Sequence, residues 1–238
     1  MNNPPLKAAI LACDEVPEKY QPAFGGYTFM IERMFSQIEV PVELDVIDCQ
    51  RTDFSQNLDQ YAFFITTGSK YSVYDDLPWI ENTIEFIHRL NREQRKLIGI
   101  CFGHQLIGKA LGVEVRKSEK GWGLGVSSNR VVCQPSWMKE INTPLNIIAS
   151  HQDQVMALPS QATVIAESDF CPYFIVQWNP HFLSIQGHPE WVREYSRVRI
   201  QDRRDILSDQ QYNSALASLE KKPDNELFCR WVVDFVGM

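Results

Sequence analysis

Apolar positions along the first hundred residues fall into short, mostly apolar runs at 6–12, 42–47, 61–66 and 97–100, the pattern of strands buried on both faces of a parallel sheet. Between them the period changes. Residues 27–38 place Phe29, Met30, Ile31, Met34, Phe35 and Ile38 at three- and four-residue steps, which predicts a crossover helix with a broad apolar face. Residues 78–90 repeat that spacing with Ile80, Ile84, Ile87 and Leu90, behind Asp75 and Asp76 and with Pro78 in the first turn. Strand alternating with helix implies an α/β fold, an open, doubly wound, mostly parallel sheet with helices on both faces.

Past residue 120 the runs shorten to 124–133, 145–149, 162–166, 174–177 and 182–185, separated by Pro135, Pro144, Pro159, Pro172 and Pro180. This punctuation predicts antiparallel hairpins added to the parallel core. From 192 to 238 the pattern is helical again, with a break at 221–224. No linker long enough to divide the chain is evident, so a single domain over 1–238 is expected, its C-terminal helices covering about 192–238.

Composition adds exclusions. An apolar fraction of 44% and a charged fraction of 22% are ordinary for a soluble globular chain. The net charge of -7 argues against nucleic acid or an anionic membrane as partner, since both need a basic face, and leaves small molecules or proteins. Residues 1–5 carry no basic region ahead of an apolar stretch, so no signal peptide is expected. Six scattered cysteines lack paired metal-ligand spacing or a secreted framework, which fits a reducing cytoplasm.

The chemistry concentrates at 96–111. A strand at 97–100 meets Cys101-Phe102-Gly103 and continues as a helix, the layout of a nucleophile elbow with sulfur as the nucleophile. Gly99 and Gly103 supply the small residues that a crowded turn demands. At a helix N-terminus, Cys101 meets the positive end of the helix dipole, which favours the thiolate. Gly187-His188-Pro189-Glu190 follows the strand at 182–185 and offers a base with an orienting carboxylate. In open sheets of this type, ligands sit beyond the carboxyl ends of the strands, where Cys101 and His188 both fall. The plainer alternative for His188 and Glu190 is a turn with a capping carboxylate.

Gly-Ile-Cys-Phe-Gly-His-Gln at 99–105 together with Gly-His-Pro-Glu at 187–190 resembles the class I glutamine amidotransferases. The resemblance extends in order through Thr67-Gly68-Ser69, Gly121-Trp122-Gly123 and Ser150-His151-Gln152-Asp153. Within the family the chain looks most like stand-alone proteins related to the amidotransferase domain of GMP synthetase, including the γ-glutamyl peptidases. The resemblance implies a flavodoxin-like fold. It also implies backbone N–H donors to an oxyanion at Gly68 and Phe102, a substrate contact at Gln105, and a loop at Ser150, His151, Gln152 and Asp153 that reads the α-amino and carboxylate groups. Two positions depart from the pattern: Ser69, where most members have a second glycine, and Gln152, where GMP synthetases have glycine.

Together these imply cysteine-dependent hydrolysis of the γ-amide of glutamine or a γ-glutamyl compound through a thioester on Cys101, with no cofactor and no metal. One alternative is an ammonia-supplying subunit for a separate synthetase, because the chain has no pyrophosphate or Walker-type loop of its own. Another is a non-catalytic regulatory homologue. Cys13, Cys49, Cys133, Cys171 and Cys229 are expected in the core. His104 reads as a structural helix residue, since two ligands without a second pair make a weak metal site. His151 reads equally as a substrate-side or a solvated loop histidine. The glycine run 121–125 lacks the strand–helix context of a phosphate loop, and the charged run 193–205 reads as a solvated helix face.

Overall fold

The computed structural model describes residues 5–38, 40–55 and 57–237. Its elements, in chain order, are β1 (Leu6–Ala12), α1 (Gln21–Phe24), α2 (Tyr27–Phe35), β2 (Val42–Asp48), β3 (Phe63–Thr66), α3 (Pro78–Arg92) and β4 (Lys96–Ile100). Next come α4 (Phe102–Ala110), β5 (Val115–Lys117), β6 (Gly123–Val131), β7 (Leu145–His151) and β8 (Asp153–Val155). The chain ends with β9 (Thr163–Glu167), β10 (Ile175–Gln177), β11 (Phe182–Ile185), α5 (Arg193–Gln201), α6 (Asp209–Ser218) and α7 (Asn225–Val236).

Nine strands form one sheet in the order β2-β1-β3-β4-β11-β10-β9-β6-β7. The first five in that order pair in parallel, and the remaining four pair antiparallel. The 2-1-3-4 start is the flavodoxin-like winding, with the late strand β11 in fifth place. The short strands β5 and β8 form a separate antiparallel pair that the apolar pattern does not predict.

Strand side chains alternate between two cores, as the pleat requires. Ala8, Ile10, Phe63, Ile65, Ile98, Ile100, Leu183 and Ile185 face α2 and α7 through Ile31, Met34, Phe228 and Val232. Their neighbours Ala9, Leu11, Phe64, Leu97 and Phe182 face α3 and α4 through Ile80, Ile87, Leu106 and Ile107. With both faces covered, the central strands carry apolar residues at successive positions facing both cores, hence the mostly apolar runs in the sequence. A third cluster joins α5 and α6 to the hairpin of β6 and β7 through Tyr195, Ile200, Ala215, Val126 and Ile148, with Trp191 and Tyr27 at its margin. Among the described residues no helix is long and apolar enough to cross a membrane.

Candidate active site

β4 and β11 lie side by side in parallel, with Ile100 opposite Ile185. The residues that follow each strand therefore emerge together at the carboxyl edge of the sheet. Cys101 N–H donates to Ile185 O at 2.8 Å, which fixes the turn at the end of β4 against its neighbour. Cys101 sits at φ 49° and ψ −95° and immediately precedes α4. A non-glycine residue in that region is strained, as the nucleophile elbow requires. The crowding is measurable: a Cβ at Gly103 would lie 1.7 Å from Thr66 Oγ1. Thr66 Oγ1 itself accepts the Ile100 N–H at 2.9 Å, locking the ends of β3 and β4 together.

His188 is held by its backbone, which donates to Ile148 O at 2.7 Å. Its Nδ1 donates to Glu190 Oε1 at 2.8 Å, and both side chains are buried. Nε2 is left free of Glu190, and the ring interacts electrostatically with the Cys101 side chain. Burial alone would push the imidazole pKa down, but the charges of Cys101 and Glu190 outweigh it, and the net effect is a rise to about 10. At neutral pH the ring is thus an imidazolium between two acidic groups.

Gly68 closes the same point from β3. A Cβ there would come within 2.8 Å of His188 Cε1 and 3.8 Å of Cys101 Cβ, so only glycine lets the β3 loop approach. Thr67 Oγ1 accepts the Cys13 N–H at 2.9 Å and donates to Gly68 O at 3.0 Å, setting the orientation of this peptide. Phe102 opens α4, so its N–H has no acceptor within the helix. Both peptides expected to face an oxyanion are therefore close to Cys101.

A cleft of about 550 Å³ opens above this point, lined by Cys101, Phe102, Gln105, Ser150, His151, Gln152 and His188. Every expected site residue but Gly68 and Glu190 contributes to its wall, and those two lie against the His188 ring. The segment at 150–153 is no open loop, however. Ser150 and His151 end β7 and Asp153 begins β8, so only Gln152 turns the chain. Ser150 Oγ is buried without a hydrogen-bond partner. His151 is buried rather than solvated, and burial holds its pKa down to about 4. Its Nδ1 meets Asp153 O at 3.1 Å. The Asp153 carboxylate is already occupied by Ser72 Oγ at 2.7 Å and Tyr74 OH at 3.2 Å.

Four contributors are not evident from the sequence. Gln186, directly after β11, directs its amide Nε2 at Cys101 Sγ at 3.6 Å and accepts from Gln105 Nε2 at 3.2 Å. Trp191 stacks on the His188 ring at 4.0 Å with an 18° interplanar angle. Arg199 and Arg203 line the cleft, so the charged run at 193–205 is not merely a solvated face. The glycine run at 121–125 leads from a turn into β6 rather than forming a phosphate loop before a helix, and its Trp122 reaches the cleft beneath Arg203. His104 is a buried helix residue, its Nδ1 2.7 Å from Ser184 Oγ. Cys13, Cys49, Cys171 and Cys229 are in the core as expected, whereas Cys133 is only half-buried because it lies past the end of β6. Burial pushes the thiols of Cys171 and Cys229 up to about 12.

The model of the glutamine amidotransferase class-I family matches residues 23–202, most of the chain. The chain belongs to that family. Among its relatives, γ-glutamyl peptidase 3 of Arabidopsis thaliana is 32% identical over 192 residues, covering 78% of this chain and 76% of the relative. One subunit of the glutamine-hydrolysing GMP synthase of Archaeoglobus fulgidus is 34% identical over 112 residues, 43% of this chain and 61% of that one. A crystal structure of a glutamine amidotransferase from Thermotoga maritima superposes with a TM-score of 0.76 at 20% identity, covering 97% of this chain and 99% of that one. The flavodoxin-like fold of the family is thereby shown for this class I amidotransferase domain.

Proposed function

We propose that this amidotransferase domain hydrolyses γ-glutamyl amides through a thioester on Cys101. The observation that carries the reading is the placement of His188 between Cys101 and Glu190, at the ends of two adjacent parallel strands. Likeness to a γ-glutamyl peptidase supports the same bond as target.

In this mechanism the Cys101 thiolate attacks the γ-carbonyl carbon, and the resulting oxyanion is met by the N–H groups of Gly68 and Phe102. Collapse breaks the C–N bond as the His188 imidazolium gives its Nε2 proton to the departing ammonia or amine. The γ-glutamyl thioester remains on sulfur. A water molecule then gives its proton to the now neutral His188 and attacks the thioester. Glutamate leaves, and the thiolate–imidazolium pair is restored. Glu190 holds the ring and stabilises its charge without taking the proton. Gln105, Ser150, His151 and Gln152 form the wall against which the glutamyl group lies. The continuous nine-stranded sheet supports reading 1–238 as a single domain, and six free cysteines support a cytoplasmic setting.

The test is glutamate release from L-glutamine, glutathione and simple γ-glutamyl peptides, comparing the native protein with Cys101→Ala. Release by the native protein and its loss in the variant are expected. Release undiminished in Cys101→Ala would refute the assignment. The stretch shared with one component of a GMP synthase favours a second reading, an ammonia donor to a separate synthetase. Silence of the pure protein followed by activity on adding such a partner would favour that one.

A further inference from the structure

Four cations line the cleft, Lys70, Lys117, Arg199 and Arg203, and no carboxylate among the described residues hydrogen-bonds to either arginine. Arg199 and Arg203 stand one turn apart on and just beyond α5, on the wall of the cleft that contains Cys101 and His188. Arg199 is largely buried, with 18% of its side chain exposed, and its Nε is buried without a hydrogen-bond partner. The Arg203 guanidinium lies over the Trp122 ring at 4.4 Å, and its Nη1 donates to Arg199 O at 2.7 Å. Trp122 is therefore the floor of the pair.

The nearby carboxylates are otherwise engaged. Asp202 accepts from Lys19 Nζ and Tyr20 OH, each at 2.7 Å, and stands 3.7 Å from Arg199 Nη1, beyond hydrogen-bonding distance. Across the cleft, Asp14 accepts from the backbone and ammonium nitrogens of Lys70 at 2.9 and 3.0 Å. Asp153 is held by Ser72 and Tyr74, and Glu15 is exposed at the rim. Burial and the neighbouring Arg199 charge bring the Arg203 pKa down to about 10, and the Asp202 charge only partly opposes them. Placing two guanidinium groups together in a partly desolvated cleft is costly unless an anion enters.

Packing says which part of a substrate they meet. Trp191 stacks on His188 and is braced by Tyr195 of α5, so Arg199, one turn further along α5, lies on the His188 side of the cleft, with Arg203 beyond it over Trp122. Gln105 and the segment at 150–152 come from α4 and β7. The departing amine leaves toward His188.

We propose that Arg199 and Arg203 form a subsite for a carboxylate carried by the departing amine, so that the chain prefers γ-glutamyl amino acids and peptides to amides with a neutral leaving group. This rests on the hydrolase reading above and names its substrate class. An arginine fork matches a carboxylate in two hydrogen bonds, and the stack on Trp122 holds the Arg203 plane ready for it.

The comparison that tests it is γ-glutamylglycine against γ-glutamylglycinamide, which differ only in the charge of the leaving group. With native protein the acid is expected to exceed the amide in kcat/KM by roughly ten- to a hundredfold, the range of one charge-assisted pair. Arg203→Gln should bring that ratio toward one, and Arg203→Lys, which keeps the charge without the fork, should leave it intermediate. A native ratio near one overturns the proposal while leaving the hydrolase reading intact, and so does a ratio that Arg203→Gln and Arg199→Gln both leave unchanged. If neither compound is turned over, calorimetric binding to Cys101→Ala decides the matter without catalysis. Tighter binding of the acid by about tenfold supports the subsite. Equal binding, or none, overturns it.

Discussion

The Trp191 indole lies flat against the His188 imidazole, ring centroids 4.0 Å apart and planes 18° from parallel, and is itself braced edge-on by Tyr195 at 4.6 Å. His188 is thus fixed by three contacts of different kinds: Glu190 at Nδ1, Cys101 at the opposite edge and an aromatic plane on one face. A flat aromatic beneath an imidazolium also favours its charge. Sequence, turn and strand end place the histidine, but the stack sets the plane of its ring.

Trp191→Phe, which keeps a ring under His188, is accordingly expected to retain most glutamate release. Trp191→Ala should lower kcat by more than about tenfold with KM little changed, since ring alignment acts on the reacting groups rather than on binding. The buried indole also packs the third core cluster, so its removal should destabilise the fold by roughly 3–5 kcal/mol. Steady-state kinetics beside urea denaturation separates the two effects. Equal kcat in the Phe and Ala variants would show that the stack does not position the ring.

Much of this site is visible in the chain itself. The runs at 6–12 and 182–185 coincide with β1 and β11, because strands covered on both faces leave a mostly apolar signature. Cys101, His188 and Glu190 stand out since each lies just past a strand end within two residues of a glycine or proline. By contrast, β5 and β8 have three residues each, too few for any period. Gln186, Trp191, Arg199 and Arg203 are equally hidden. Each gains its role from what folds against it, and the helical period of 193–205 does not reveal which face meets a cleft formed by β4, β11 and Trp122. His151 is ambiguous in the sequence for the same reason, as the strand that buries it is recognisable only once β7 pairs with β6.

The charge on His188 predicts a pH signature. Its folded pKa, about 10, is above the ordinary value of 6.5. The stability it contributes is therefore fully present below pH 6.5 and is lost as the pH rises through about 10. Glu190→Gln removes one of the two negative charges responsible, so the loss, which still begins near pH 6.5, should end at lower pH and be smaller in total. NMR of the His188 imidazole nitrogens should show both protonated at pH 8 in the native protein and a downward shift of the titration in Glu190→Gln. An unchanged midpoint would exclude Glu190 as a source of the raised pKa.

His151 behaves in the opposite sense. Burial is the main cause of its low pKa, opposed by the hydrogen bond to Asp153 O and reinforced by the charge of His188, and the result is about 4 against an ordinary 6.5. Between those values the unfolded chain binds a proton that the folded protein refuses, so stability is intact above pH 6.5 and falls as the pH drops toward 4. The loss from this one group is at most on the order of 3 kcal/mol. His104, whose pKa burial brings down to about 3, acts in the same direction, and carboxylates add their own acid loss. His188 adds no slope in this window, because it is protonated in both states below 6.5. The difference between native protein and His151→Gln therefore isolates His151. Urea denaturation at several pH values from 4.5 to 7.5 should show the native protein losing stability more steeply with acid than the variant, the curves converging at the acid end. Parallel curves would mean that His151 titrates normally, and hence that water reaches its ring in the cleft.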